Sequence, residues 1–252
     1  MTVVGISGAA GRMGRLVASA IDAEPDLELH GLFDPAGGEI LGRSIEKDGN
    51  VLEGAEVVVE FTRPDVVLEN LAVWKDMGCH VVVGTSGFDE KRIAEVAAIW
   101  SSGPLNCLIV PNFSIGAAVM MRLAEIAAPH FDAAEIIELH HDHKVDAPSG
   151  TALETASRIA AAKPDQIRAV EAKELLRGAR GAEAAGVSMH AVRLPGFVAH
   201  QQVILGGQGE RLTISHDTVE RSSFMPGVLI GVRSVANLTD PVTIGLESLL
   251  GL

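Results

Sequence analysis

Cysteine is scarce in this chain, and its scarcity excludes chemistry before any motif is read. Of 252 residues only two are cysteines, Cys79 and Cys107, each beside a β-branched run and never in Cys-x-x-Cys spacing. That leaves no pair for a zinc ribbon or a dithiol centre, and both read as buried thiols in a reducing compartment. Apolar runs of the ~18 residues that a bilayer requires are absent, as is a basic stretch followed by an apolar core near Met1. Neither a membrane span nor a secretory leader is expected. Positive charge is also in short supply: 20 Lys and Arg stand against 33 Asp and Glu, a formal net charge of −13. Nucleic acid and anionic membrane would be repelled at long range, and an anionic substrate would need positive charge local to its site. What remains is a cytoplasmic globular protein, 47% hydrophobic and 21% charged, long enough for one large domain or two modest ones.

Strands alternate with helices over the first ~110 residues. Val3-Val4-Gly5-Ile6 is a short buried strand, and Met13, Leu16, Val17, Ala20 and Ile21 then fall on one helical stripe. Further strands are predicted at 27–33, 56–61, 79–83 and 106–110, with helices at 65–77 and 89–100. Short loops and this alternation imply a doubly wound parallel sheet, covered on both faces. After Pro111 the rhythm changes: helices at 115–128 and 151–162, strands at 134–140, 189–193, 200–205 and 211–216. The last two flank Gly206-Gly207-Gln208-Gly209 as an antiparallel hairpin, so the second half is expected to form a smaller α+β domain on a mixed sheet. The charged stretch 163–186 reads as a mobile surface excursion, and 225–236 as a helix. The expected division is 1–112 for a dinucleotide and 113–222 for substrate and oligomer contacts, with about 223–252 packing back on the first domain.

Gly5, Gly8, Gly11 and Gly14 recur every three residues between the first strand and the first helix. Such a turn lets a diphosphate approach the backbone, and the helix dipole favours the anion. Residue 6 is Ile, so the spacing is Gly-x-x-Gly-x-x-Gly, and a purely structural strand-to-helix turn remains the competing reading. Asp34, twenty residues beyond Gly14, is placed to accept from ribose hydroxyls, or else serves as a turn residue before Pro35. A 2′-phosphate would be repelled there, with Arg12 its available partner, so NADH should bind at least as well as NADPH.

Residues 140–151 hold the densest chemistry: His-His-Asp-His-Lys-Val-Asp-Ala-Pro-Ser-Gly-Thr. A strand delivers His140 and His141, Lys144 follows, and Thr151 with Glu154 has the spacing of a helix capping box. A helix N-terminus beside Lys and His suits carboxylates, and histidine exchanges protons near neutral pH. His141-x-His143 with Asp142 is a weak candidate for a metal site, since no cysteine or second histidine pair supports it and Lys144 adds charge. A solvated structural cluster is the other bland alternative.

This segment, His140 through Ala152, resembles the signature of the 4-hydroxy-tetrahydrodipicolinate (dihydrodipicolinate) reductases. The resemblance extends through Gly8-Ala9-Ala10-Gly11-Arg12-Met13-Gly14, Gly84-Thr85-Ser86-Gly87-Phe88, Pro111-Asn112-Phe113-Ser114-Ile115-Gly116 and Gly209-Glu210-Arg211-Leu212, with Arg221 and Phe224. It implies reduction of a small cyclic dicarboxylate by NADH or NADPH in diaminopimelate and lysine biosynthesis. His140 would give the proton and Lys144 would bind a carboxylate and assist, joined by His141, Ser149, Gly150 and Thr151. Gly8, Gly11, Arg12, Met13, Asp34 and Phe61 would hold the dinucleotide. Gly84, Ser86, Asn112 and Phe113 would line its nicotinamide, with Arg221 and Phe224 reaching it from later in the chain. Relatives of this kind are typically homotetramers built through their mixed sheets. Without the resemblance, the residues reach only a dinucleotide-dependent enzyme of a small anion, with another dehydrogenase or a non-catalytic redox sensor as alternatives.

Overall fold

The computed structural model describes every residue except 164–166, 169 and 171. The chain begins with β1 (Thr2–Ser7), α1 (Arg12–Asp22), β2 (Leu27–Phe33), β3 (Gly38–Ile40), β4 (Arg43–Ile45), β5 (Val57–Glu60) and α2 (Val67–Asp76). It continues with β6 (His80–Val83), α3 (Glu90–Ile99), β7 (Cys107–Ile109), α4 (Ile115–Ala127), β8 (Ala133–His140) and α5 (Gly150–Ala162). It ends with β9 (Ala182–Ala184), β10 (Val187–Arg193), β11 (Ala199–Gly207), β12 (Glu210–Thr218), α6 (Met225–Ser234), β13 (Val242–Ile244) and α7 (Glu247–Leu250). Two compact units result, 1–114 with 224–252, and 115–223.

The first unit is a six-stranded sheet in the order β13-β7-β6-β5-β1-β2, and the pairings within it are parallel. Both faces are covered, which is why Val57-Val58-Val59 and Val81-Val82-Val83 are unbroken apolar runs rather than alternating ones. Val4, Ile6, Val57, Val59, Val82 and Leu108 face α1 and α6, where Val17, Ala18, Ile21, Val228 and Val232 are buried. Val58, Val81, Val83 and Ile109 face α2 and α3, against Leu71, Trp74 and Val96. Each fully buried aliphatic side chain contributes about 1.5–3 kcal/mol. From β1 the chain moves outward to β2, then returns to β5 on the other side of β1. The carboxyl ends of β1 and β5 therefore flank a topological switch point, the place where open α/β sheets receive ligands. Arg233 on α6 grips the α1–β2 turn, its Nε donating to Asp26 and its Nη2 to Glu24 at 2.8 and 2.6 Å.

The second unit is a mixed sheet, β12-β11-β8-β10-β9, in which β8 and β10 are parallel and the other pairs antiparallel. On one face, α4 and α5 bury Met120, Ala124, Ala156 and Ile159 against Ile136, Met189 and Val203. The β11–β12 hairpin turns at Gln208-Gly209, where Gly209 takes the φ of +81° that such a turn needs.

Five short elements, β3, β4, β9, β13 and α7, escaped the sequence reading. The β3–β4 hairpin fills the β2-to-β5 crossover, β13 adds an edge to the first sheet, and α7 is a single turn. Three or four residues are too few to show a periodicity. The stretch 163–186 is corrected in part, because β9 lies inside it and pairs antiparallel with β10; five of its residues lie outside those described. Among the described residues no helix is long and apolar enough to cross a membrane.

Candidate active site

The glycine turn follows β1 and enters α1. Gly8 has φ +85°, and a Cβ there would stand 2.4 Å from the Phe61 carbonyl oxygen. A Cβ at Gly14 would stand 2.1 Å from the Gly8 oxygen, so glycine is required for α1 to approach the turn. Gly11 is the N-cap of α1: no side chain caps the helix and its first turn carries no acid. A helix end so arranged suits an anionic diphosphate, with Arg12 exposed at its head. Met13, by contrast, sends its side chain against the hydrophobic core.

Asp34 braces this turn. Its Oδ2 accepts from the Ala10 amide at 3.1 Å and its Oδ1 from the Ala36 amide at 2.9 Å. Each oxygen keeps lone-pair capacity for a second donor. Two bases that the sequence did not bring here stand close by. Arg15 donates to the Ala10 and Glu39 carbonyls, and Lys47 lies over Gly37, its Cε 2.8 Å from where a Cβ would be.

At the carboxyl ends of β5, β6 and β7, Phe61 and Phe113 meet with ring centroids 5.5 Å apart and planes at 45°. Gly84 makes room for both: a Cβ there would lie 2.1 Å from the Phe61 ring and 2.8 Å from that of Phe113. Ser86 is exposed just beyond, and the Asn112 Oδ1 accepts from the Ser114 amide at 2.9 Å. Phe224 packs against the same core. Glu60, fully buried at the end of β5, accepts from Trp74 Nε1 at 2.8 Å and the Thr62 amide at 3.1 Å, bracing the segment after Phe61.

The remaining predicted residues belong to the second unit. His140 ends β8 and is half-buried; His141 follows, its ring centroid 6.3 Å from that of His143. Lys144 Nζ donates to both oxygens of Asp146, at 2.7 and 2.8 Å. α5 then begins, after a cis Ala147–Pro148 bond, with Gly150 and Thr151 in its first turn. A Cβ at Gly150 would meet nothing within 4 Å, so its backbone is approachable. Arg221 opens the short turn that closes this unit. The capping expectation is corrected here: the N-cap is Ser149, whose hydroxyl accepts from the Ala152 amide at 3.2 Å. Ser149 is extended, φ −68° and ψ 151°, and Thr151 is already helical, leaving Glu154 to pair with Arg158 at 2.7 Å.

Glu138 and Arg193 went unread. The Glu138 carboxylate, fully buried, sits beneath His140, whose Nδ1 is 2.5 Å from its Oε2. Arg193 reaches both Glu138 oxygens, at 2.8 and 2.7 Å, from β10, where it pairs with His140 in register. Burial pushes the Glu138 carboxyl up, but the hydrogen bonds and charges of His140 and Arg193 outweigh it and hold it below its usual range. An acid two residues before a histidine shares its strand face, which was a usable signal. Arg193 had none, because strand pairing across 53 residues is not local. Among the described residues no cluster of three or more His, Cys, Asp or Glu side chains could hold a metal ion.

Two family models match the chain, "Dihydrodipicolinate reductase, N-terminus" over 2–113 and "Dihydrodipicolinate reductase, C-terminus" over 116–250. A protein of Thermobifida fusca named 4-hydroxy-tetrahydrodipicolinate reductase is 50% identical, and one of Cutibacterium acnes with the same name is 46% identical; both alignments cover 100% of each chain. Among solved structures, a dipicolinate-bound dihydrodipicolinate reductase from Paenisporosarcina sp. TG-14 superposes with a TM-score of 0.86 at 35% identity, covering 98% of this chain and 99% of its own. With matches that span both units, this chain belongs to the dihydrodipicolinate reductase family.

Proposed function

We propose that the chain is an oxidoreductase that reduces 4-hydroxy-tetrahydrodipicolinate to tetrahydrodipicolinate with a nicotinamide dinucleotide, a step of diaminopimelate and lysine biosynthesis. The observation that carries this reading is the end of β8, where His140, Lys144 and the N-terminus of α5 lie within twelve residues. A small dicarboxylate needs an ammonium and oriented amides for its charge, and its reduction needs a proton donor. The shared name of the relatives states the same reaction, and the solved relative holds dipicolinate, a planar dicarboxylate.

A bound dihydronicotinamide would supply a hydride to C4 of the substrate ring, which loses its 4-hydroxyl as water, so that one hydride and one proton are taken up and one water is released. The chain does the rest. In the first unit, the Gly8–Gly11 turn and the Arg12 and Met13 amides take the diphosphate, and Asp34 accepts from the ribose. Phe61, Gly84, Ser86, Asn112, Phe113 and Phe224 exclude water around the nicotinamide; Arg221, in the second unit, is assigned to the cofactor by the family resemblance alone. In the second unit, Lys144 binds one carboxylate, with His141, Ser149, Gly150 and Thr151 beside it. His140 delivers the proton from Nε2, since Nδ1 is engaged by Glu138. The Lys144–Asp146 contact does not preclude this: Asp146 is largely exposed, so water can take over its hydrogen bonds when Lys144 turns to the substrate. A biosynthetic enzyme of this kind works in the cytoplasm, and neither nucleic acid nor membrane is a partner of a chain with this charge.

NADH binds at least as well as NADPH, because a 2′-phosphate would meet the Asp34 carboxylate and then Pro35. Turnover with the product of the preceding synthase, followed with each cofactor, tests the reaction, and titration of both cofactors tests the preference. NADPH binding more than about tenfold tighter, a difference of ~1.4 kcal/mol, would overturn the preference and point to Arg12, Arg15 or Lys47. Absence of turnover while NADH still binds would favour a dinucleotide sensor instead.

A further inference from the structure

We propose that Glu138, backed by Arg193, is a positioning residue: it fixes the tautomer and ring direction of His140 and ties that ring to the N-terminus of α5. The proposal rests on the reading of His140 as the proton donor. Glu138 and His140 are two residues apart on β8, so they share a face of the strand, the one turned toward α5. The parallel register of β8 and β10 sets Arg193 opposite His140.

Four hydrogen bonds converge on this one carboxylate. Arg193 Nη1 donates to Oε2 at 2.8 Å and Nη2 to Oε1 at 2.7 Å; the Ser149 amide donates to Oε1 at 3.2 Å; His140 Nδ1 approaches Oε2 at 2.5 Å. A carboxylate has about four lone-pair directions, so Glu138 is saturated. Being ionised and fully buried, it can only accept, and the proton of that last contact belongs to Nδ1. His140 therefore turns Nε2 outward, as the nitrogen that carries or lacks the mobile proton. Arg193 Nη2 also donates to the Asp146 carbonyl at 2.7 Å, so the same ion pair anchors the loop that presents Lys144. One buried carboxylate thus links the proton donor, the lysine loop and the N-cap residue of α5.

The competing explanation is that Glu138 and Arg193 form a structural ion pair and the histidine contact is incidental. Nitrogen NMR of ring-labelled histidine in alkaline buffer separates the two in the unaltered protein, with the His140 signal assigned by its loss in His140→Gln. The proposal expects the neutral ring to be the Nδ1–H tautomer. An Nε2–H ring, or rapid exchange between both forms, overturns it. In Glu138→Gln the amide has one oxygen; Arg193 and the Ser149 amide claim it, and the NH₂ faces Nδ1. The ring should then switch to Nε2–H and lose its imidazolium form, the acid that donates from Nε2, because that form needs an acceptor at Nδ1; kcat should fall on the order of 10²–10⁴-fold. KM for the dicarboxylate and NADH affinity should stay within about threefold. A folded variant with unchanged kcat overturns the proposal. If the variant does not fold, the tautomer of the parent decides. If the parent shows no turnover, the proposed reaction fails by itself, while the tautomer still reports on Glu138.

Discussion

At the residue scale the two groups given chemical roles differ in how they are held, and the difference sets what their loss should do. His140 is half-buried against a saturated carboxylate, so its ring has little freedom. His140→Gln removes the proton donor but leaves the α5 N-terminus and Lys144 intact. Since general acid catalysis contributes on the order of 10²–10⁴-fold, kcat should fall by that much with a modest change in KM. Steady-state kinetics on the purified variant checks this, and a near-normal kcat would shift the role to His141. Lys144 instead lies on a loop, its ammonium shared with a largely exposed Asp146. Lys144→Met keeps most of the stem and deletes the charge, leaving a substrate carboxylate desolvated without a partner. The loss should be about 2–4 kcal/mol in kcat/KM, with NADH affinity unchanged. Pyridine-2,6-dicarboxylate should raise the melting temperature of the parent much more than that of the variant. If the variant loses NADH binding as well, the assignment of Lys144 to substrate is wrong.

At the element scale, legibility followed locality. β1, the glycine turn and α1 are contiguous, and the valine runs of β5 and β6 announce strands buried on both faces, so the doubly wound sheet could be read from order alone. His140, Lys144 and the start of α5 were legible together for the same reason. What stayed hidden depends on pairing at a distance or on very short elements: Arg193 beside Glu138, Lys47 near Asp34, the three-residue β9 and β13. The cap of α5 was misread because Ser and Thr two positions apart both suit the role, and only the backbone of Ser149 is extended. β8 itself makes a testable statement about acid. Burial raises the carboxyls of both Glu135 and Glu138, but Arg180 and His190 around the first, and His140 and Arg193 around the second, hold both below their ordinary 4.5. A depressed carboxyl stabilises the fold above its unfolded value, and that contribution is lost as pH falls through the folded value. Melting temperature should therefore show no loss from these groups between about pH 7 and 5 and should fall below about pH 4.5. Melting curves across that range check it, and Glu138→Gln should flatten the acid limb. A decline already complete above pH 5 would mean that other groups set the acid limit.

At the scale of the whole molecule, the second sheet poses a question that a single chain does not answer for itself. One of its faces is covered by α4 and α5, while Ile137, Leu139, Val192 and Ile204 point from the other, half-buried among Ser188, Gln202 and Thr213 and flanked by the Glu135–His190 and His200–Asp217 pairs. Its outer strand β12 is nine residues long and pairs on one side with β11, an edge of the kind that proteins cover or blunt. Homotetramer assembly through this sheet, proposed here from the family resemblance, would cover both the apolar centre and the edge with copies of the same chain. It would also do so without recruiting charge of one sign, which a chain of net charge −13 would find repulsive against itself. Sedimentation of the parent should then give the mass of four chains. Ile204→Glu places a second carboxylate in the centre of the face, opposite Glu135, where burial in an interface costs several kcal/mol unless the charge is paired. The variant should sediment as a smaller species and melt at a lower temperature. Its secondary structure should be retained, because position 204 is on the face opposite α4 and α5. A parent that sediments as a monomer, or a variant that remains tetrameric, would remove this face from the assembly.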